Sequence, residues 1–154
     1  MRPVIVSELL FVANLLILKR KDFMNILIID DKKSVRDAIS HILVSLGHSV
    51  TTAVNGLDGF EKAQQTPYHL YIIDHLMPLM NGVILSKNLK NKPFCANTPI
   101  VFMTTQGIET VKRLPEFTLF SRVISKPLNE TAFISAVESL MNTVNDNDLS
   151  SIAL

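Results

Sequence analysis

The sequence predicts an α/β chain built as a five-stranded, doubly wound parallel sheet with helices on both faces. Three observations predict it. From Asn25 onward, short β-rich runs alternate with stretches whose apolar residues recur at helical spacing, and five such units follow one another. Runs such as Ile26-Leu27-Ile28-Ile29 are continuously apolar rather than alternating, as strands covered on both faces must be. The chain has 154 residues, 47% of them apolar, enough for one hydrophobic core, and a formal net charge of only +1. That balance excludes a disordered chain and a polycationic nucleic-acid binder.

The first segment stands apart from the repeating pattern. Val4 to Leu18 is an apolar run broken by Ser7, Glu8 and Asn14 and followed by Lys19, Arg20 and Lys21. As a helix it would rise about 22 Å, short of the ~30 Å hydrocarbon core of a bilayer, which disfavours membrane contact by a spanning helix over residues 4–18. A secretory leader would carry its charge before the run and a small-residue cleavage site after it. The readings left are a packed or interfacial helix that anchors or dimerises the chain, and an upstream start codon, since Met24 opens a segment that reads as a complete domain. Residues 1–23 are thus an extension, 24–144 the domain and 145–154 a short frayed tail.

Strand one, Ile26 to Ile29, ends in Asp30-Asp31. The next helix carries Val35, Ile39, Ile42, Leu43 and Leu46 on one face and stops at Gly47, a left-handed cap. Ser49 to Val54 reads as strand two, with Asn55-Gly56 turning into a helix over Leu57 to Gln65. Tyr68 to Ile73 is strand three, ending at Asp74, and Met77-Pro78 starts a loop that leads through Asn81-Gly82 to a helix over Val83 to Asn91. Pro99 opens strand four, Ile100 to Met103, which ends at Thr104-Thr105. A short helix from Ile108 to Leu114 is cut by Pro115, and strand five runs from Leu119 to Ile124 before Ser125-Lys126-Pro127. The last helix, Glu130 to Val144, places Phe133, Ile134, Val137, Leu140 and Met141 on one face. No helix-turn-helix, enzyme module or basic stripe is read after it.

Ligands of open parallel sheets bind beyond the carboxyl ends of the strands. Those ends supply Asp30 and Asp31, Asp74, Thr104 and Lys126. In the flavodoxin-like strand order 2-1-3-4-5, strands one and three are neighbours, so three carboxylates converge. Carboxylates that close raise one another's pKa, and a divalent cation removes the conflict, with all-oxygen ligation favouring Mg²⁺ over Zn²⁺. Such a site suits phosphoryl transfer to a carboxylate, the cation and Lys126 offsetting charge on the phosphoryl oxygens while Asp74 attacks in line.

The pattern Asp30-Asp31, Ile72-Ile73-Asp74-x-x-Met77-Pro78-x-Met80-Asn81-Gly82, Thr104 and Lys126-Pro127, spread over Met24 to about Val144, resembles the receiver family of two-component response regulators, in its stand-alone, chemotaxis-regulator-like form. The resemblance implies that Asp74 is the phosphoacceptor, that Asp31, Asp74 and the backbone carbonyl of Leu76 ligate Mg²⁺, and that Asp30 acts through a bound water. It implies that Lys126 pairs with the phosphoryl group, that Thr104 is a switch hydroxyl, and that the Lys126–Pro127 peptide is cis. The implied donor is a histidine kinase or histidine phosphotransfer protein, and the output is contact with another protein, without direct nucleic-acid binding. Two positions depart from the pattern. Val123 stands where the family commonly has an aromatic residue, and Pro115-Glu116-Phe117-Thr118-Leu119-Phe120 replaces the usual small-residue turn before strand five. Phe117 and Phe120 are read as core, with substitution for the missing aromatic as the alternative for either.

Taken singly, each motif has an ordinary reading: Asp30-Asp31 as a helix cap, Thr104-Thr105 as a strand end, Lys126-Pro127 as a helix start. His75 is expected to point away from Asp74, because side chains alternate along a strand. His41, His48 and His69 lack the clustered partners zinc needs. Cys95, the only cysteine, can form no intrachain disulfide, which fits a reducing cytoplasm. Competing readings are a receiver-shaped binding module with vestigial phosphorylation and an aspartyl-phosphate phosphatase, the latter weakened by Leu76 where a second acid is needed. A dinucleotide site is weaker still, for want of Gly-x-Gly-x-x-Gly after strand one.

Overall fold

A computed structural model describes the backbone of residues 4–21 and 23–152 and the side chains of residues 6–15 and 23–142. The sheet has five parallel strands in the order β2-β1-β3-β4-β5, formed by β1 (Asn25–Ile29), β2 (Ser49–Ala53), β3 (Leu70–Asp74), β4 (Ile100–Thr104) and β5 (Arg122–Ser125). The predicted fold class is the one observed. Helices α2 (Lys33–Ser45), α3 (Gly56–Gln65), α4 (Gly82–Lys90), α5 (Ile108–Lys112) and α6 (Glu130–Ile152) connect or follow the strands.

The period-two alternation of the strands divides the core in two. Ile26, Ile28, Leu70, Ile72, Val101 and Met103 face one layer with Ile39 and Leu43 of α2 and Phe133, Val137 and Leu140 of α6. Leu27, Ile29, Tyr71, Ile73, Ile100 and Phe102 face the other, with Ala63 of α3, Leu85 and Leu89 of α4 and Val111 of α5. Both layers are needed because β1, β3 and β4 bury nearly every side chain.

Turn chemistry sets the ends of the elements. Gly47 has φ +93°, a left-handed conformation, and its N–H reaches the Val44 carbonyl at 3.0 Å, closing α2 as expected. Asn55 and Asn81 cap α3 and α4, their side-chain oxygens accepting the N–H of Asp58 and Ile84 at 2.9 and 3.0 Å.

Two stretches differ from the sequence reading. Pro115–Leu119 forms a 3₁₀ turn, with proline at a position that has no N–H to lose, so β5 starts at Arg122 and not at Leu119. Phe120 is buried and stacks on Phe102 at 3.9 Å with planes 13° apart, the core role expected of it. The last helix continues past Val144 to Ile152, where a frayed tail was expected, because neither Gly nor Pro interrupts Asn145–Leu149. Upstream, α1 (Val4–Lys21) is helical, and each of residues 6–15 is exposed, Leu9, Leu10, Phe11 and Val12 included. Among the described residues no helix is long and apolar enough to cross a membrane.

Candidate acidic site at the carboxyl edge of the sheet

Register decides which side chains meet at this edge. Ile28 pairs with Ile72 and Met103 with both Asp74 and Ile124. Counting two residues on along β1 and β5 puts Asp30, Asp74 and Lys126 on one face of the sheet, that of α2 and α6. The three meet. Lys126 Nζ donates to Asp30 Oδ2 at 2.6 Å and lies 2.9 Å from Asp74 Oδ1, and the three side chains are 9%, 0% and 8% exposed respectively. Asp31 is exposed beside them, and Asp30, Asp31 and Asp74 each offer an oxygen within 4.8 Å of the others. These three residues form an acidic cluster able to hold a metal ion. The donors are all carboxylate oxygens, which fits a hard divalent cation and not a thiophilic one.

The ordinary reading of Asp30-Asp31 as a helix cap does not hold, because α2 is capped by Lys32 with no side-chain cap bond and Asp30 is fully buried. Its Oδ1 accepts the Lys32 N–H at 2.8 Å and its backbone carbonyl accepts from Arg36 at 2.7 Å, so local turn bonds fix the carboxylate that Lys126 reaches. The Lys126–Pro127 peptide is cis, as expected. An open cleft of about 410 Å³ adjoins the cluster, bordered by Val35 and Ala38 of α2 and by Lys126, Pro127 and Leu128. Leu76 lies two residues past β3 with its side chain half exposed.

Electrostatics at the edge are unbalanced. Burial raises the Asp74 pKa, the hydrogen bond from Lys126 lowers it, and the charges of Asp30 and Asp31 raise it again, leaving it above the ordinary carboxylate value. Burial alone would lower the Lys126 pKa, but hydrogen bonds to Asp30 and Asp74 outweigh it and hold the ammonium above its usual range. One cation therefore serves two buried anions, with a third beside them.

Thr104 does not join this cluster. It lies one residue beyond Met103, on the opposite face, wholly buried. His75 is there too: its N–H extends the β3–β4 ladder to the Met103 carbonyl at 2.8 Å, and its Nδ1 lies 2.9 Å from Thr104 Oγ1. The backbone N–H of Gln106 also reaches Thr104 Oγ1, at 3.0 Å. His75 points away from Asp74, as the alternation of side chains along β3 predicts. The same alternation turns Thr104 to that face, which is why the two side chains meet. Burial lowers the His75 pKa, and its ring packs on Phe102 with centroids 5.2 Å apart.

The loop after β3 is closed tightly. The Gly82 N–H donates to the His75 carbonyl at 2.8 Å, and a Cβ at Gly82 would fall 2.1 Å from the Asp74 carbonyl oxygen. Leu79, inside this loop, has φ +68°.

The family model of the response regulator receiver domain matches residues 26–138. The chain belongs to this family. The receiver is 27% identical over 118 residues to the probable transcriptional regulator ycf29 of Porphyra purpurea, covering 76% of this chain and 56% of that protein. The chain thus spans about half the length of that relative. Among solved structures it is similar to the chemotaxis protein CheY4 of Vibrio cholerae, with 28% identity and TM-score 0.69, covering 77% of this chain and 98% of the other. The receiver domain of the sensor histidine kinase PA1611 of Pseudomonas aeruginosa, whose structure has a magnesium ion in its active-site cleft, shares the fold at TM-score 0.71 and 18% identity, over 77% and 98% of the two chains. In the present receiver, Val123 is partly buried on the Thr104 face, in register with Phe102. The stack of Phe120 on Phe102 fills the core of that layer.

Proposed function

We propose that this receiver accepts a phosphoryl group on Asp74 from a phosphohistidine of a partner histidine kinase or histidine phosphotransfer protein. It then signals by binding a further protein in the cytoplasm. The single observation that carries the reading is the shared ammonium: Lys126 Nζ stands 2.6 Å from Asp30 and 2.9 Å from Asp74 at the open end of the sheet. A carboxylate held this way has a cation waiting for the charge a phosphoryl group brings.

In the transfer, an Asp74 oxygen attacks phosphorus, the P–O bond forms, and the P–N bond to the donor imidazole breaks with its electron pair going to nitrogen. Lys126 offsets charge on the phosphoryl oxygens, and Asp30 keeps the lysine aimed across the edge. Asp31, Asp74 and the Leu76 carbonyl are the proposed Mg²⁺ ligands, with Asp30 acting through water. When bound, Mg²⁺ supplies the positive charge that lets the three carboxylates remain ionised together. The cleft formed by α2 and Pro127-Leu128 gives the donor protein an apolar surface next to the acceptor. The protein is a phosphoacceptor and not an enzyme with turnover. Its working unit is residues 24–144, the N-terminal extension and the C-terminal end lying outside it.

Incubation with acetyl phosphate and Mg²⁺ tests the proposal by intact mass. The expected result is a gain of one phosphoryl group that disappears in Asp74→Asn and on chelation of the metal. No gain, or an equal gain in the variant, overturns it and leaves a receiver-shaped binding module.

A further inference from the structure

Thr104 has one proton and two lone pairs to place in a site with no exposure. The Gln106 N–H occupies one lone pair, at 3.0 Å. The hydroxyl proton needs an acceptor, because a buried donor left unpaired costs as much as a lost hydrogen bond. No buried side-chain polar atom among the described residues lacks a partner. The partner within reach is His75 Nδ1, at 2.9 Å. A ring nitrogen that accepts carries no proton, so the ring is the neutral tautomer with its hydrogen on Nε2. Phe102 packs against the ring and Gly82 binds the His75 carbonyl, so ring and backbone are both held.

We infer that His75 is a positioning residue that latches the Thr104 hydroxyl away from the acceptor edge, so that the hydroxyl must release His75 before it can donate to a group on Asp74. The inference rests on the reading of Asp74 as phosphoacceptor and adds what opposes the switch. Thr104 has a single proton, so His75 and a phosphoryl oxygen compete for it.

The test uses the full chain and beryllofluoride with Mg²⁺ as the phosphoryl mimic. His75→Phe keeps a ring against Phe102 and removes the acceptor. It should bind the mimic about fivefold more tightly, the equivalent of one neutral hydrogen bond of about 1 kcal/mol. His75→Asn, whose Oδ1 can stand near the Nδ1 position and accept, should return the affinity to within about twofold of the parent. In a Thr104→Val background His75→Phe should change nothing, and Mg²⁺ affinity should be equal in every variant. Unchanged or weakened mimic binding in His75→Phe overturns the latch. A second readout needs no phosphoryl mimic: the ¹⁵N shift of His75 Nδ1 in the resting protein should be that of an unprotonated, hydrogen-bonded nitrogen. A protonated Nδ1 overturns the inference. Failure of the parent protein to bind beryllofluoride would instead sink the phosphoacceptor reading, while the resting ¹⁵N shift still decides the latch.

Discussion

Replacing Lys126 by Met keeps most of the side-chain volume and removes the one ammonium that serves two buried carboxylates. Both are almost fully out of solvent, with Asp30 0% and Asp74 8% exposed at the side chain, so neither can recover its hydration. Removing one partner of a buried ion pair typically costs about 3–5 kcal/mol. Here there is an escape that lowers the figure. Protonating a carboxyl of ordinary pKa near 4 at pH 7 costs about 4 kcal/mol, at 1.36 kcal/mol per pH unit. Asp74 already lies above that ordinary value through burial and the charges of Asp30 and Asp31, and loses its lowering partner in the variant. The expected loss at pH 7 without divalent cation is therefore about 2–4 kcal/mol. The sign of the pH dependence follows. A carboxyl whose folded pKa is raised favours the folded state below its unfolded pKa, and that contribution is lost as pH rises through the folded pKa. The destabilisation should be largest at neutral pH and shrink toward about pH 4–5, and Mg²⁺ should restore part of it at pH 7. Urea unfolding followed by circular dichroism, in chelator and in Mg²⁺, measures each quantity. A loss below about 1 kcal/mol at pH 7, or one equally large at pH 5, would refute the shared-ammonium account.

Two further substitutions probe the loop after β3. Gly82→Ala puts a methyl 2.1 Å from the Asp74 carbonyl oxygen and 2.9 Å from a Phe102 ring carbon. A backbone oxygen cannot rotate aside, so a loss of about 3 kcal/mol in urea unfolding is expected, together with weaker Mg²⁺ binding. Unchanged stability would mean that the loop yields freely. Leu79→Gly removes a side chain that is 79% exposed from a backbone at φ +68°. Relief of about 1–2 kcal/mol of left-handed strain, less the greater freedom of glycine in the unfolded chain, should leave a gain of about 0.5 kcal/mol. Acetyl phosphate labelling should be unaffected, and a loss of labelling would assign Leu79 a contact in the site.

Much of this architecture is legible in the sequence, for identifiable reasons. Ile26 to Ile29 and Ile100 to Met103 read as strands covered on both sides, and their polar terminations marked the edge where the acidic cluster and Lys126 assemble. Asn-Gly pairs marked helix starts because the amide caps the first turn and the glycine admits a close neighbour. The 3₁₀ turn over Pro115–Leu119 was hidden because Leu119 and Phe120 have strand-like composition, and only the tertiary stack of Phe120 on Phe102 decides otherwise. The engagement of His75 was hidden for a subtler reason. Alternation within one strand says which face a residue takes, but whether that face is empty depends on the register of the next strand, and Asp74 opposite Met103 is a fact of pairing, not of composition.

The division of β3 at its end, Asp74 toward α2 and α6 and His75 toward α4 and α5, makes the strand a partition between a layer of charge and a layer of rings. The first layer holds the carboxylates and ammonium of the edge; the second holds the His75–Thr104 contact and the stacked rings of Phe102 and Phe120. The two sets of residues belong to different packing layers. The buried ion cluster and the aromatic stack therefore share no face of the sheet, and Val123 lies on the side of the stack.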